Sequence, residues 1–327
     1  MSCIEGGHLT TAGQHAGEAR RHDWSRGLGT VVSLLAATLL AATLLASAAL
    51  PAQVTPNCSS CAVWNTPQAP FRIYGNTYYV GTRGLTALLI TSSDGHVLID
   101  GGLSESAPLI AASIRALGFR LEDIRAIVNS HVHYDHAGGL AELQRLSGGE
   151  VFASSRSAPV LVRGTVGRDD PQYAIAFPIA AVARVRPIPA GDSVRVGDLT
   201  LHALATAGHT PGGTSWTWRS CDGHRCLSLV YGDSQSAISA DDFLFTKSAD
   251  YPRALEDFAA GFAALEQVRC DILLTPHPDA SAMWDRLAKR EGGARDALRD
   301  SSACRRYAET ARRALDKRVS AERAKMP

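Results

Sequence analysis

The sequence has no surplus of charge of either sign: 33 Lys and Arg face 32 Asp and Glu, giving a formal net charge of +1. This speaks against a nucleic-acid partner and leaves no acidic tail, so any chemistry must be read from particular residues. No sequence repeat is found. One stretch, Leu28 to Leu50, lacks charge altogether and is a run of Leu, Ala, Val and Thr preceded by Arg20, Arg21 and Arg26. A basic flank, an apolar run and small residues beyond it read as a secretory signal, with Ala46-Ser47-Ala48 or Leu50-Pro51-Ala52 at the cleavage point. An uncleaved anchor or a later translation start are the other readings, and each places the body of the protein outside the cytoplasm.

Cysteine is not scarce. Of seven, Cys3 lies in the leader, leaving Cys58, Cys61, Cys221, Cys226, Cys270 and Cys304. An even number in an exported chain suggests disulfides, and six cysteines allow 15 pairings. Proximity favours Cys58–Cys61 and Cys221–Cys226, leaving Cys270–Cys304; the alternative is that some stay free.

The 327 residues, 45% hydrophobic and 20% charged, suffice for one large α/β domain or two modest ones. The division expected is a leader over 1–52, an arm without periodicity over 53–70 and a catalytic domain over 71–327. Phe71–Gly75, Thr77–Gly81, Leu85–Ser92 and His96–Asp100 read as strands, followed by a helix over Ala107–Leu117 and a buried strand over Ala126–Ser130. A helix over Gly138–Leu146 and a strand over Val151–Ala153 come next. Gly164 to Pro189 is irregular, and a connection of that length is more often functional than structural. Strands then recur at Val194–Val196, Leu199–Thr206, Thr214–Arg219 and Leu227–Tyr231. They are followed by a helix over Arg253–Val268, a strand over Ile272–Thr275, and helices over Ala282–Lys289 and Ala294–Lys317. Strands and helices thus follow a similar order twice, which implies an α/β (α+β) fold built as a four-layer αββα sandwich.

His131-Val132-His133-Tyr134-Asp135-His136 places four ligand-type side chains in six residues, between a buried strand and a helix. In an extended turn His131 and His133 point to the same side, and Asp135 and His136 fall where the chain bends toward the helix. Imidazoles with one carboxylate suit Zn²⁺. His209, in Gly208-His209-Thr210-Pro211-Gly212, and His277, in Thr275-Pro276-His277-Pro278, sit on loops at strand ends, where functional residues gather. The expectation is two open sites. His131, His133 and His209 hold one zinc; Asp135, His136 and His277 hold the other. Three protein ligands each leave room for water or hydroxide, and two zinc ions roughly 3.5–4 Å apart can share a hydroxide that attacks near neutral pH. Asp135 is the catalytic candidate, orienting that hydroxide besides ligating. Asp100 is read either as a turn former or as a partner of a ligand histidine. Trp64 is a candidate apolar contact for substrate, and Phe71 is read as core.

These motifs resemble the metallo-β-lactamase superfamily, and subclass B3 in particular, over roughly Trp64 to Lys317. The resemblance rests on the His-x-His-x-Asp-His run, on Gly-His-Thr-Pro-Gly, on Thr-Pro-His-Pro, and on Tyr231-Gly232-Asp233-Ser234-Gln235-Ser236. It implies that Ser234 and Ser236 hydrogen-bond a β-lactam carboxylate, and the spacing of Cys270 and Cys304 matches a disulfide of the subclass. The implied activity is hydrolysis of the amide bond of penicillins, cephalosporins and carbapenems, and with it antibiotic resistance. The export signal places the mature chain in the periplasm with no stable membrane association after cleavage, and a monomer is expected because nothing in the sequence resembles an interface. Two departures stand out. Relatives with an N-terminal cysteine tend to pair it near position 83, where this chain has Arg83. Some place a Tyr after the Ser-x-Ser stretch to assist the oxyanion; Ser239 to Asp242 offers none, so Gln172 is the candidate substitute. The rival is another hydrolase of the superfamily, a glyoxalase II-like thioesterase or a lactonase, with Asp233 bridging the metals.

Overall fold

Leu88, Leu89 and Ile90 are consecutive, apolar and fully buried, and so are Val97, Leu98 and Ile99. A strand sends successive side chains to opposite faces, so such runs need a sheet covered on both sides. The computed structural model, which describes residues 58–325, supplies that cover. The leader expected at 1–52 and residues 53–57 of the arm lie outside the described residues.

The chain enters through a short helix, α1 (Cys61–Trp64), and then forms strands β1 (Phe71–Tyr74), β2 (Thr77–Tyr79), β3 (Leu88–Ser92) and β4 (Gly95–Ile99). Helix α2 (Ser106–Ala116) leads to β5 (Ile124–Val128), α3 (Tyr134–Ala137), α4 (Leu140–Ser147), β6 (Glu150–Ser154), α5 (Ala158–Arg163) and β7 (Val185–Ile188). The second half contains β8 (Ser193–Val196), β9 (Leu199–Ala205), β10 (Thr214–Asp222), β11 (Arg225–Tyr231), α6 (Ala254–Gln267), β12 (Ile272–Leu274), α7 (Met283–Glu291) and α8 (Ala303–Ala324).

Strands β1 to β7 form one sheet in sequence order, antiparallel up to β4 and parallel from β4 to β7. The other sheet has the order β12-β11-β10-β9-β8, with only β11 and β12 parallel. Leu88, Ile90, Val97 and Ile99 meet Trp216, Leu229 and Tyr231 between the sheets. Leu89, Leu98 and Ile127 face the other way, against Ile110 and Leu143 of α2 and α4. On the far side, Val230 and Leu273 pack on Phe258, Phe262 and Leu315 of α6 and α8. These three apolar seams between four layers are the expected αββα sandwich.

The structure corrects some boundaries. Val185–Ile188, placed by sequence in an irregular connection, is the edge strand β7, paired in parallel with β6. Pro187 disguises it, and an edge is where a strand tolerates proline. The helices α1 and α5 were also not anticipated; they have only 4 and 6 residues, too short for a periodic signal. The strand read from Leu85 starts at Leu88, because the Thr86 N–H donates to the Pro276 carbonyl at 2.8 Å instead of to the ladder. The charged helix read from Ala294 starts at Ala303: Asp300 Oδ1 accepts from the N–H and Oγ of Ser302, a local bond that competes with helix. The cysteines pair as Cys58–Cys61, Cys221–Cys226 and Cys270–Cys304. Among the described residues no helix is long and apolar enough to cross a membrane.

Candidate metal centre

The six candidate ligands come from three loops at the ends of buried strands. After β5, the chain is held by Asp100, whose Oδ1 accepts the Ser130 N–H at 2.7 Å and whose Oδ2 accepts the hydroxyls of Ser130 and Tyr231 at 2.6 and 2.8 Å. Asp100 thus fixes the backbone that delivers His131, while touching no ligand ring itself; its φ of 57° also makes it a turn residue. The first turn of α3 closes on the His133 carbonyl through the N–H groups of His136 and Ala137 at 3.0 and 2.8 Å, and so brings Asp135 and His136 beside His131. His209 follows β9 through Gly208, whose φ is +138° and where a Cβ would lie 2.5 Å from the Phe258 ring, so only glycine fits. His277 follows β12 on the loop that Thr86 grips through Pro276.

The side chains converge as two donor groups. In the first, His131, His133 and His209 each offer a ring nitrogen within 4.8 Å of the others. Their remaining nitrogens are engaged behind the rings. His131 Nδ1 lies 2.8 Å from Asp233 Oδ1, His133 Nε2 lies 3.0 Å from Asp170 Oδ1, and His209 Nδ1 lies 2.8 Å from the Ser236 carbonyl. Each contact fixes a tautomer and leaves the opposite lone pair for the centre. In the second group Asp135 Oδ2 lies 3.2 Å from both His136 Nε2 and His277 Nε2, which are 3.3 Å apart. Ligands of a tetrahedral zinc stand about 3.3 Å apart when each bond is near 2.05 Å. Two imidazole nitrogens and a carboxylate oxygen converging at this spacing fit a shared cation. His131 also belongs to a donor group with Asp135 and His136, so the two sets adjoin.

Electrostatics favour metal-ready protonation. Burial, reinforced by the neighbouring imidazoles, pushes His131 and His209 well below the usual histidine range, so both are neutral donors. Burial works to raise Asp135, but His136 and His277 hold it well below the usual carboxylate range. His133 moves up instead: burial lowers it, and the Asp170 carboxylate outweighs that.

The remaining candidates surround this centre. Gln172 Nε2 lies 3.4 Å from His209 Nε2, the nitrogen that faces the donors. Ser234 and Ser236 line a cavity of about 500 Å³ together with Thr275, His277, Arg306 and Tyr307. The Trp64 ring packs on His277 at 5.1 Å, so it covers a ligand candidate, beyond the substrate contact read from sequence. Phe71 stacks on Tyr79, as a core residue would. Among the described residues Asp233 joins neither donor group, being placed behind His131 with no hydrogen-bond partner on Oδ2. Sequence reading missed Asp170, an unremarkable acid in an irregular stretch, and the use of the Ser236 backbone; neither carries a local signal.

A family model described as the metallo-β-lactamase superfamily matches residues 80–223. Among solved structures, the Rm3 metallo-β-lactamase is 53% identical with a TM-score of 0.80, covering 82% of this chain and 100% of that one. MEM-A1, a subclass B3 metallo-β-lactamase isolated from a soil metagenome library, is 48% identical with a TM-score of 0.79, covering 80% of this chain and 100% of that one. A hydroxyacylglutathione hydrolase of Rhodopseudomonas palustris is 35% identical over 42% of this chain and 39% of its own length. The chain spans 39% to 63% of the length of the first curated relatives it matches. With its likeness running the full length of two such proteins at 53% and 48% identity, the chain belongs to the metallo-β-lactamase superfamily, beside the subclass B3 metallo-β-lactamases.

Proposed function

We propose that the protein is a zinc-dependent β-lactamase that opens the amide bond of penicillins, cephalosporins and carbapenems and so confers antibiotic resistance. The observation that carries this reading is the 53% identity across the whole of a metallo-β-lactamase, joined to a complete set of six donors. His131, His133 and His209 would hold one zinc, and Asp135, His136 and His277 a second. Zinc bound there supplies Lewis acidity toward a carbonyl oxygen and makes water acidic enough to attack near neutral pH.

The chain's own residues do the rest. Asp135 presents Oδ2 to His136 and His277, which would leave Oδ1 to orient the attacking water. Ser234 and Ser236, which line the cavity together with His277, would hydrogen-bond the substrate carboxylate. Gln172, 3.4 Å from His209, would meet the carbonyl oxygen as charge develops on it. Three disulfides suit an oxidising compartment, so we place the mature enzyme in the periplasm, as a monomer acting on a small molecule.

A second reading, hydrolysis of a thioester or lactone, is favoured by the partial match to hydroxyacylglutathione hydrolases. It was expected to need Asp233 between the metals, and Asp233 instead meets the rear nitrogen of His131. Purified mature protein with zinc should bleach a carbapenem and turn nitrocefin red. Turnover of S-lactoylglutathione or a homoserine lactone, with no loss of β-lactam, would replace the first reading by the second.

A further inference from the structure

The connection between α5 and β7 carries one carboxylate that neither the fold nor the proposed chemistry demands. Asp170 is 2% exposed. Its Oδ1 lies 3.0 Å from His133 Nε2 and also accepts the Gln172 N–H at 2.8 Å, while Oδ2 is buried with no hydrogen-bond partner among the described residues. A buried carboxylate is costly unless a partner repays it, and the partner found here is a ring that belongs to the first donor group. The carboxylate cannot drift. The Asp170 N–H donates to the Gly167 carbonyl, the Asp170 carbonyl accepts from Tyr173, and the Pro171 carbonyl accepts the Ala240 N–H at 2.8 Å.

We propose that Asp170 is a positioning residue for zinc. By accepting the Nε2–H of His133 it holds the ring so that Nδ1 faces the metal. The inference rests on the reading that this group binds zinc, and it is independent of which substrate the zinc serves. His133 differs here from its neighbours: His131 and His209 are held by Nδ1, and so present Nε2. A ring in the opposite sense needs an acceptor on the opposite side, and the connection supplies it. The same turn brings Gln172 to 3.4 Å from His209, so Asp170 and Gln172, separated by one residue in the chain, meet two of the three imidazoles. The segment is therefore part of the metal-holding apparatus as well as a wall of the cleft.

The test compares the full zinc-loaded protein with Asp170→Ala and Asp170→Asn. Competition against a chromophoric chelator should show one of the two zinc equivalents bound about 10–100-fold more weakly in Asp170→Ala. Asp170→Asn, which keeps an acceptor and loses the charge, should fall between. In the cobalt(II)-substituted protein the visible ligand-field bands should shift with Asp170→Ala, and the imidazole ¹⁵N spectrum should show His133 no longer bound through Nδ1 alone. Unchanged zinc affinity and cobalt bands in a folded variant, with only the melting temperature of the metal-free protein lowered, would mark a merely structural ion pair and overturn the proposal. If Asp170→Ala does not fold, Asp170→Asn decides by the same measures. A wild type that binds zinc and hydrolyses only a thioester would defeat the β-lactamase reading and leave this inference standing.

Discussion

The two donor groups are built differently although they share a wall. In the first, all three rings are buried and each has its rear nitrogen engaged, by Asp233, Asp170 and a backbone carbonyl. In the second, His136 Nδ1 is buried without a hydrogen-bond partner among the described residues, and His277 is 34% exposed beside a cavity. His277 is steadied by an aromatic face, Trp64, and by the grip of Thr86 on its loop. The first group is preorganised by hydrogen bonds and closed to solvent. The second stands at the cavity, where on the proposed reading a substrate would arrive. Preorganisation costs exposure, so on the proposed reading the first group would serve affinity and the second access.

Removing a ligand from each side breaks this comparison with the largest effect. His131 is a member of the first donor group and also lies within ligand distance of Asp135 and His136 of the second. His131→Ala should therefore lower kcat/KM by on the order of 10³-fold, since Lewis-acid help is worth several kcal/mol and each 1.36 kcal/mol is tenfold. His277→Ala should instead keep one tightly bound zinc and lose the other. Metal analysis after exhaustive dialysis separates the two outcomes. Equal zinc content in both variants would mean that the groups do not differ as their hydrogen bonds suggest.

The two groups were also unequally legible. Ligand types, strand ends and the His131–His136 spacing are local features, and the structure gathers all six residues that they nominate. The double-sided strands were readable because their apolar runs are continuous. What was hidden depends on distant partners. Asp170 acquires meaning only when the 164–189 segment folds over His133, and the Ser236 carbonyl acts through backbone, which has no side-chain signature. Asp233 could be read two ways from Gly-Asp-Ser, and only the side of the His131 ring that it meets distinguishes them. Edge strand β7 was lost to Pro187, and the start of α8 to a side-chain bond at Asp300.

The aromatic support of the second group is a smaller lever. Trp64 is held by its own backbone, which accepts the Thr82 hydroxyl at 2.7 Å and the Gly84 N–H at 3.0 Å. Trp64→Ala should free the His277 ring and weaken the second zinc about 2–10-fold, as expected for an aromatic contact of about 0.5–1.5 kcal/mol. Trp64→Phe should restore most of it. The readout is stepwise zinc titration, in which the first equivalent should not move. A loss shared equally by both equivalents would show that the arm steadies the whole centre and not its open half.

The smallest effect concerns the cavity floor beside that open half. Asp300, paired with Arg306, has its carboxyl held down at about 2 by the Arg306 hydrogen bonds. Both side chains are partly solvated, so the pair is worth about 0.5 kcal/mol after screening. The sign follows from the depressed value: the contribution is complete above the ordinary carboxylate range and disappears as pH falls through about 2. Wild type should therefore melt slightly higher than Asp300→Asn at pH 5, and the gap should shrink steadily toward pH 2. Because Asp300 lines the cavity without joining either donor group, zinc stoichiometry should be the same in both proteins. A gap that persists at pH 2 would mean that Asp300 acts through something other than its charge pair with Arg306.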